Sequence, residues 1–414
     1  MLVLVAAVAL AVNEYELIAT DKACGNMGRI SLPCGDCGPN WGELADCEDV
    51  CNTFANCTHV TYFEDKGCRI YSSCNLTTVE IAPQNARAGT QVYERKNPKV
   101  ISRPKGTCDL LAAAGSPCMA AHSVVRALYE KYTGPLYRLL RDSDLAGLDI
   151  APSPTGFAKV SDQDAFCTPD VTCYIYRIYD QSPMGNHLDT APAGGACRFP
   201  LSPVNAGKDP ITMGGRSVYG AYFEGKMGYR QDRTKGIATG ETPQTMYMVT
   251  RGDHYNGGCC FDYGNAETDN DDEGKGTMEA IYFGNSTGWA KGQGDGPWVM
   301  ADLENGLWAG DKKISTAPSI GYKFVTAMTK GKKGGFALKA GNAQRGALQT
   351  LYEGGRPGGY ETMNKQGAII LGIGGDNSCW AVGTFYEGAM TATYTDDATD
   401  AAIHANIVSA GYGT

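Results

Sequence analysis

The chain has 414 residues, of which 43% are hydrophobic and 20% charged, and its 54 glycines and 23 tyrosines suit a loop-rich β protein. That length is enough for two or three compact domains. The formal net charge of -9 and the lack of long basic runs exclude nucleic acid and anionic membrane surfaces as expected partners.

The first residues predict export. Residues 1–12 form a short apolar run containing Ala9-Leu10-Ala11, the small-x-small pattern of a signal peptide, and no later segment has the length of a membrane span. Sixteen cysteines without zinc-ribbon spacing favour an oxidising compartment, so we expect a secreted, disulfide-bonded protein. Three Asn-x-Ser/Thr triplets are candidate glycosylation sites, at Asn56, Asn75 and Asn285.

Residues 14–95 carry eight of the cysteines and predict a small disulfide-rich α+β module, followed by a basic, proline-containing linker over 96–105. A helix is expected from Leu44 to Cys51, with Cys47 and Cys51 on one face, before strands at 56–63 and 67–71. This Cys-x3-Cys helix and the cysteine-bearing strands resemble the PAN/apple family. The resemblance implies a module that binds carbohydrate or protein; a purely structural disulfide cap is the alternative.

From Gly106 onward, short β-prone runs alternate with Gly, Pro, Asn and Asp clusters, which favours an all-β sandwich of antiparallel sheets. Two helices are expected as exceptions, at 116–132 and 398–411, the first because Ser116 and Pro117 suit a helix start. The predicted strands are Thr172–Tyr179, Thr245–Thr250, Met278–Phe283, Tyr322–Met328 and Ala368–Gly372.

Three acidic residues are candidates for catalysis. On an extended strand Asp302 and Glu304 point to one face, and two carboxyl groups on one face raise each other's pKa. The apolar run 368–373 delivers Asp376 onto a glycine-rich turn where the backbone can approach a sugar closely. A solvated Asp-x-Glu strand and a simple Gly-Gly-Asp-Asn turn remain the plainer interpretations of the same residues.

Other chemistries have weaker signals. The five histidines show no metal-binding spacing, no serine lies in a Gly-x-Ser-x-Gly elbow, and the acidic run 269–273 lacks calcium-loop spacing, so neither metal nor cofactor is expected. Cys259 and Cys260 are adjacent and flanked by Gly257 and Gly258. From the residues alone, they either bond to each other or pair with distant cysteines.

Several blocks from Gly106 to the C-terminus resemble, in the same order, the catalytic domain of the α-L-arabinofuranosidase B family, glycoside hydrolase family 54. The family's C-terminal arabinose-binding β-trefoil has no similar segment in these 414 residues, which puts polymer targeting in doubt. The blocks are Gly106–Asp109, Ala121–Ser123, Tyr179–Ser182, Asn186–Leu188, Cys259–Thr268, Met278–Phe283, Gly296–Leu307 and Gly367–Asp376.

The resemblance implies a concanavalin-like β-sandwich, or jelly roll, and a retaining, exo-acting enzyme that releases terminal arabinofuranosyl units from arabinoxylan, arabinan or related glycans. Glu304 matches the nucleophile and Asp376 the acid/base. Cys259-Cys260 matches a vicinal disulfide under the sugar. The matched sugar-contacting and pocket-wall positions are Asp302, Asn305, Gly375, Trp289 and Leu307.

The resemblance also suggests the bridges Cys108–Cys118 and Cys167–Cys173. Cys197 and Cys379 have no counterpart in the family pattern, and we expect them to bond to each other near the rim of the site. Two alternatives to the arabinofuranosidase stay open. One is a carbohydrate-binding adhesin without turnover, and the other is the same fold acting on xylosides or galactofuranosides.

Overall fold

The computed structural model describes residues 15–24, 29–30, 42–54, 56–78, 89–96 and 103–414. The signal peptide expected at 1–12, Cys34, Cys37 and most of the 96–105 linker lie outside this range. The chain divides into two compact units: one comprises the described residues up to Arg103 with Ser153–Thr155, and the other comprises Pro104–Pro152 and Gly156–Thr414. None of the helices in the described part of the chain combines the length and apolarity that crossing a membrane requires.

The first unit is a small α+β fold. A four-stranded antiparallel sheet has the order β1-β6-β3-β4, beside the β2-β5 pair and helix α1. The elements are β1 Tyr15–Thr20, β2 Lys22–Cys24, α1 Leu44–Thr53, β3 His59–Tyr62, β4 Cys68–Tyr71, β5 Leu76–Thr78 and β6 Gln91–Arg95.

Disulfides form much of the core of this unit. Cys47 and Cys51, one helical turn apart on α1, bond to Cys68 and Cys57, and all four side chains are fully buried with Val60 and Ile70. Cys24 and Cys74 form a further bridge. So small a unit buries little apolar surface, and covalent links compensate for that shortage.

The second unit contains a large antiparallel sheet, called here the site sheet. Its path is β21-β20-β18-β17-β26-β15-β11-β10-β8-β9, with β12 paired to β10. Its strands are β8 Tyr137–Arg141, β9 Gly147–Ile150, β10 Cys173–Ile178, β11 Leu188–Thr190, β12 Val204–Asn205, β15 Tyr229–Gln231, β17 Asp262–Ala266, β18 Glu279–Gly284, β20 Trp298–Asp302, β21 Leu307–Trp308 and β26 Ala368–Leu371.

A second antiparallel sheet has the path β13-β14-β27-β16-β23-β24-β25, with β7 paired to β27. Its strands are β7 Cys118–Ser123, β13 Asp209–Met213, β14 Arg216–Phe223, β16 Gln244–Arg251, β23 Phe324–Lys332, β24 Gly335–Asn342, β25 Gln349–Gly355 and β27 Gly383–Thr391. The remaining elements are the β19–β22 pair (Lys291–Gln293 and Ile314–Pro318) and helices α2 Thr107–Ala113, α3 Val160–Phe166 and α4 Asp397–Ser409.

The main hydrophobic core joins residues of both sheets. Tyr263, Ile281 and Val299 of the site sheet share one cluster with Met248 and Val325 of the second sheet. Side chains alternate along a strand, so the neighbours of these residues project from the other face of the site sheet. The expected all-β sandwich is confirmed, and each of the five predicted strands overlaps an observed one.

The predicted helix at 116–132 is wrong. Residues 118–123 form β7, which pairs along β27 with Ser123 opposite Glu387, and Cys118 bonds to Cys108 of α2. Every residue from Ala120 to Leu128 is buried, so the apolar run carries no alternation and imitates a helical pattern. The helix predicted at 398–411 is confirmed as α4, whereas α2 and α3 were not predicted.

Candidate active site

The candidate site lies on the face of the site sheet opposite the main core. Asp262 of β17 pairs with Tyr282 of β18, which pairs in turn with Met300 of β20, two residues before Asp302, so these four side chains project from one face of the sheet. Tyr282 and Met300 pack on that face with Cys260, in a cluster separate from the main core. Asp262 is fully buried and Asp302 is 6% exposed. The strand register therefore delivers two carboxyl groups to one apolar face, beside the paired cysteines.

Glu304 sits in a tight turn between β20 and β21. The Leu303 N–H donates to the Gly306 carbonyl at 3.1 Å, and Asp302 pairs with Leu307, which leaves Glu304 and Asn305 as the two central residues. Their φ angles are 61° and 51°. Positive φ at both central positions is the mark of a type I′ hairpin turn, a conformation that suits Asn-Gly and strains a glutamate.

Three groups hold this strained turn. The Tyr360 hydroxyl lies 2.9 Å from the Glu304 carbonyl and 2.8 Å from the Asn305 carbonyl. The Asn305 side chain donates to Asp272 at 2.6 Å, and the Glu304 N–H donates to the Asp302 carboxylate at 3.1 Å. A strained backbone persists only where its surroundings determine it, and these bonds do so.

Asp376 lies on the loop that follows β26. The Ser378 N–H and hydroxyl both donate to Asp376 Oδ1, at 2.9 and 2.7 Å, which orients the carboxyl group. The buried Arg230 guanidinium donates to the Gly375 carbonyl at 2.5 Å and to Asn377 Oδ1 at 3.3 Å. The loop is thus fixed on both sides of Asp376.

A second segment crosses directly over this loop. The Ala196 N–H donates to the Asp376 carbonyl at 2.8 Å, and a Cβ at Gly195 would lie 2.0 Å from the same oxygen. Gly195 also has a φ of +52°, so both the steric clash and the backbone conformation require a glycine here. Cys197 and Cys379 are bonded to each other and are both buried. This bridge fastens the crossing segment to the loop of Asp376.

Cys259 and Cys260 are bonded to each other across a cis peptide bond. Their sulfurs lie within 4.8 Å of each other and of the Asp302 carboxylate, and Cys259 Sγ is 3.6 Å from the Ser378 hydroxyl. Sulfurs bonded to each other are not thiolates, so this group is no metal centre despite its spacing. Leu307 packs with Cys260 in one cluster. The disulfide therefore connects the surroundings of Asp302 with those of Asp376.

Two further buried carboxyl groups were not predicted as site residues. Neither Asp262 oxygen meets an N–H or O–H donor in the described part of the chain, and the carboxyl group lies within hydrogen-bonding reach of Asp302. Burial and the Asp302 charge raise the pKa of Asp262 well above its usual range. Burial raises the pKa of Asp302 to about 7, although its bond with Asp262 lowers it. Asp262 is therefore the protonated partner, donating to Asp302.

Glu267 forms the other pair, with Glu304. Burial raises the pKa of Glu304 far above its usual range, and the hydrogen-bonded Glu267 carboxyl group raises it further. Glu267 Oε1 accepts a bond from Thr277 at 3.2 Å, and a Cβ at Gly375 would lie 1.9 Å from Oε2. Gly375 thus leaves room for Glu267. Burial and the contact with Glu267 therefore favour the protonated form of Glu304.

Contacts described above connect Glu304, Asp302, Asn305, Gly375, Asp376, Leu307, Cys259 and Cys260. Trp289, the expected pocket wall, is 40% exposed on the segment after β18. Asp262 could have been predicted from the sequence, because side chains alternate along a strand and Asp262 therefore lies on the same face as Cys260. Glu267 and Tyr360 could not have been predicted, since each reaches Glu304 only through tertiary contacts.

The candidate glycosylation sites differ in accessibility. Asn56 and Asn75 are exposed, whereas Asn285 is only partly exposed. A Cβ on Gly296 would lie 2.7 Å from the Asn285 Cβ, and a Cβ on Gly257 would lie 3.4 Å from the Asn285 Oδ1, so both glycines pack against this side chain. Glycosylation at all three stays a prediction, and Asn285 is the least accessible.

Comparison with known proteins gives a consistent result for the second unit. A family model described as "Alpha-L-arabinofuranosidase B, catalytic" matches residues 107–413. A "Probable alpha-L-arabinofuranosidase B" of Aspergillus terreus is 52% identical over 320 residues, covering 74% of this chain and 62% of the relative. An "Arabinofuranosidase/B-xylosidase" of Trichoderma koningii is 51% identical over 319 residues, covering 74% and 63%.

Solved structures agree. A family 54 α-L-arabinofuranosidase soaked with a cyclic sulfate inhibitor superposes with a TM-score of 0.72 at 49% identity, covering 74% of this chain and 66% of the other. An arabinofuranosidase in complex with arabinofuranosyl-α-1,2-xylobiose gives a TM-score of 0.73 at 48% identity, covering 75% and 66%. The chain spans a little under two thirds of the length of these relatives.

Proposed function

Because the chain belongs to the α-L-arabinofuranosidase B family, glycoside hydrolase family 54, through its residues 107–413, we propose that it is a retaining, exo-acting α-L-arabinofuranosidase. The observation that carries the proposal is that Glu304 and Asp376 are both connected to one vicinal disulfide, Glu304 through Asp302 and Asp376 through Ser378. Terminal arabinofuranosyl units on arabinoxylan, arabinan or related glycans are the proposed substrates. The arabinofuranosyl-xylobiose complex of the similar structure supports this class.

Two routes of contact connect the residues Glu304 and Asp376. One route runs from Glu304 through Asp302 and the disulfide to Ser378 and Asp376. The other runs through Glu267 to Gly375, the residue before Asp376. Retaining glycosidases need carboxyl groups about 5 to 5.5 Å apart on either side of the scissile bond. Both routes support such a placement.

In the first step, the Glu304 carboxylate attacks the anomeric carbon while the bond to the leaving oxygen breaks and Asp376 donates its proton to that oxygen. In the second step, Asp376 takes a proton from water, which attacks the same carbon and releases Glu304. The two displacements restore the starting configuration.

Glu304 must be ionised to attack, although its surroundings favour the protonated form. Glu267 resolves this conflict, because a proton shared between the two groups can reside on Glu267 while positive charge develops on the sugar. Asp262 acts similarly on Asp302 by donating its proton in a hydrogen bond. Asp302 then remains an acceptor for sugar hydroxyls. The Cys259–Cys260 disulfide offers a flat apolar surface to the carbon face of the furanose.

The decisive assay is hydrolysis of an aryl α-L-arabinofuranoside, with the aryl β-xyloside and β-galactofuranoside compared. Because the similar Trichoderma koningii protein is named a β-xylosidase as well, we expect the β-xyloside to be the better of these two alternative substrates. Glu304→Gln and Asp376→Asn should each lower kcat by several orders of magnitude with unchanged thermal unfolding, and azide should rescue Glu304→Gly with inverted product. Binding of arabinosides without turnover by the wild type would instead establish the adhesin.

Two proposals concern the rest of the chain. The disulfides and the apolar start support an extracellular location, which detection of a processed N-terminus in secreted protein would test. The first unit, with its PAN-like cysteine pattern, would bind a glycan or a protein. A glycan array probed with Glu304→Gln, with and without an arabinose competitor for the second unit, would reveal a ligand for this unit.

A further inference from the structure

Trp380 presents a large apolar side chain at the edge of the candidate site. The residue is 53% exposed, and it lies four positions after Asp376 and next to the bonded Cys379. Its N–H donates to the Cys259 carbonyl at 3.2 Å, so its backbone lies directly beside the vicinal disulfide. An exposed tryptophan contributes little to the core, and its position relates it to the site instead.

The backbone of Trp380 is fixed on its other side by Asn256. The Asn256 side chain donates to the Trp380 carbonyl at 3.1 Å and accepts bonds from Gly258 at 3.0 Å and Val382 at 3.2 Å. A Cβ on Gly258 would lie 2.5 Å from the Trp380 carbonyl oxygen, so this close approach requires a glycine. An exposed ring on an anchored backbone loses little conformational freedom when it binds a ligand.

The proposed chemistry decides which part of a substrate Trp380 would meet. Glu304 attacks the sugar that is released, whereas Asp376 gives its proton to the oxygen that departs with the remainder of the substrate. The loop of Asp376 therefore borders the leaving group. Trp380 lies on this loop, and its N–H bonds to Cys259 of the vicinal disulfide.

We propose that Trp380 is a stacking platform for a pyranose ring in the leaving group, of the kind that a xylan backbone supplies. The inference rests on the proposed function and deepens it. A chair-form pyranose presents flat faces of C–H groups, and xylopyranose has no exocyclic carbon to hold such a face away from an indole ring. A puckered furanose, as in arabinan, fits a flat ring less well. Trp380 thus selects arabinofuranosyl substituents on a pyranose chain.

The test compares three substrates in the full-length protein: arabinofuranosyl-xylotriose, arabinofuranosyl-arabinotriose and methyl α-L-arabinofuranoside, whose leaving group has no ring. Trp380→Ala should lower the ratio of kcat/KM for the xylotriose substrate over the methyl glycoside about tenfold. Trp380→Phe should keep most of the ratio. The ratio for the arabinotriose substrate should fall less than twofold. Tyr176→Ala, which removes a ring that is 45% exposed on β10, is the matched control and should leave both ratios at the wild-type value.

An unchanged ratio in Trp380→Ala would overturn the platform, and so would an equal loss on all three substrates with a lowered melting temperature. An equal fall for the xylotriose and arabinotriose substrates would overturn the choice of a pyranose. Failure of the wild type to hydrolyse any of the three contradicts the proposed function itself, and is thereby distinguished from failure of the platform.

Discussion

The carboxyl group of Asp262 lies within hydrogen-bonding reach of the Asp302 carboxyl group, and no N–H or O–H donor from the described chain reaches either Asp262 oxygen. A buried carboxylate without a donor would be very costly, so Asp262 keeps its proton and gives Asp302 a hydrogen bond. This arrangement makes Asp262 a positioning residue for Asp302. Because Asp262 keeps its proton only in the folded protein, the stability of the protein should also depend on pH.

Asp262→Asn should keep kcat/KM within about fivefold of wild type, because the amide is neutral and donates to Asp302 as the acid does. Asp262→Leu removes the donor and should lower kcat/KM about 10- to 100-fold, the cost of an unsatisfied buried carboxylate. Steady-state kinetics with an aryl arabinofuranoside would measure both. Equal losses in the two variants would refute a neutral donor role.

The same pair predicts how stability changes with pH. Folding raises the pKa of Asp262 well above 3.8 and that of Asp302 to about 7. A raised pKa contributes stability that is fully present below the unfolded value and is lost as the pH rises through the folded value. The wild type should therefore lose melting temperature between pH 4 and pH 8. Asp262→Asn, with one titrating group fewer, should lose less over that interval, and an equal or larger loss would contradict the assignment.

Tyr360→Phe should lower kcat/KM about tenfold and the free energy of unfolding by about 1 kcal/mol, because it removes the hydroxyl that holds the Glu304 and Asn305 carbonyls. The effect should appear in kcat more than in KM, since the turn positions the proposed nucleophile. Tyr352→Phe, which removes an exposed hydroxyl bonded to the Gly355 carbonyl, is the matched control. Comparable losses in the control would remove the case for Tyr360.

Replacing Cys259 and Cys260 together by alanine should raise KM and lower kcat/KM about tenfold, because the apolar surface proposed to lie under the sugar is lost. The melting temperature should change little, since a ring of adjacent residues constrains the unfolded chain hardly at all. Peptide mapping of the wild type without reductant checks the premise. A peptide containing Cys259 linked to a distant cysteine would exclude this surface.

Replacing Cys197 and Cys379 together by serine should reduce the free energy of unfolding by about 4–5 kcal/mol, because the bridge spans 182 residues of sequence. The kcat should fall on methyl and xylotriose substrates alike, since the loop of Asp376 loses its anchor. A uniform loss would distinguish the effect of the bridge from that of Trp380→Ala, which should depend on the leaving group. The control replaces Cys167 and Cys173 together by serine, which removes a bridge between residues only 6 positions apart. It should reduce the free energy of unfolding clearly less.

The sequence predicts the sandwich well, because its strands are short, bounded by turn residues and rich in β-prone side chains. It fails at β7, where burial on both faces removes the alternation that distinguishes a strand. In the site, Asp302 and Asp376 follow from local pattern and resemblance. Tyr360 and Glu267 act through residues 56 and 37 positions away in the chain, and no local pattern encodes such contacts.

The positive φ of Glu304 sets stability and activity against each other. A glycine or an asparagine would relieve the turn by roughly 1 kcal/mol, so the position proposed to hold the nucleophile is one where folding alone prefers another residue. Any lineage released from selection for hydrolysis should therefore lose its glutamate early, and gain a more stable protein by doing so. A glycine or asparagine at this position in an otherwise intact homologue would thus mark a descendant that has given up catalysis.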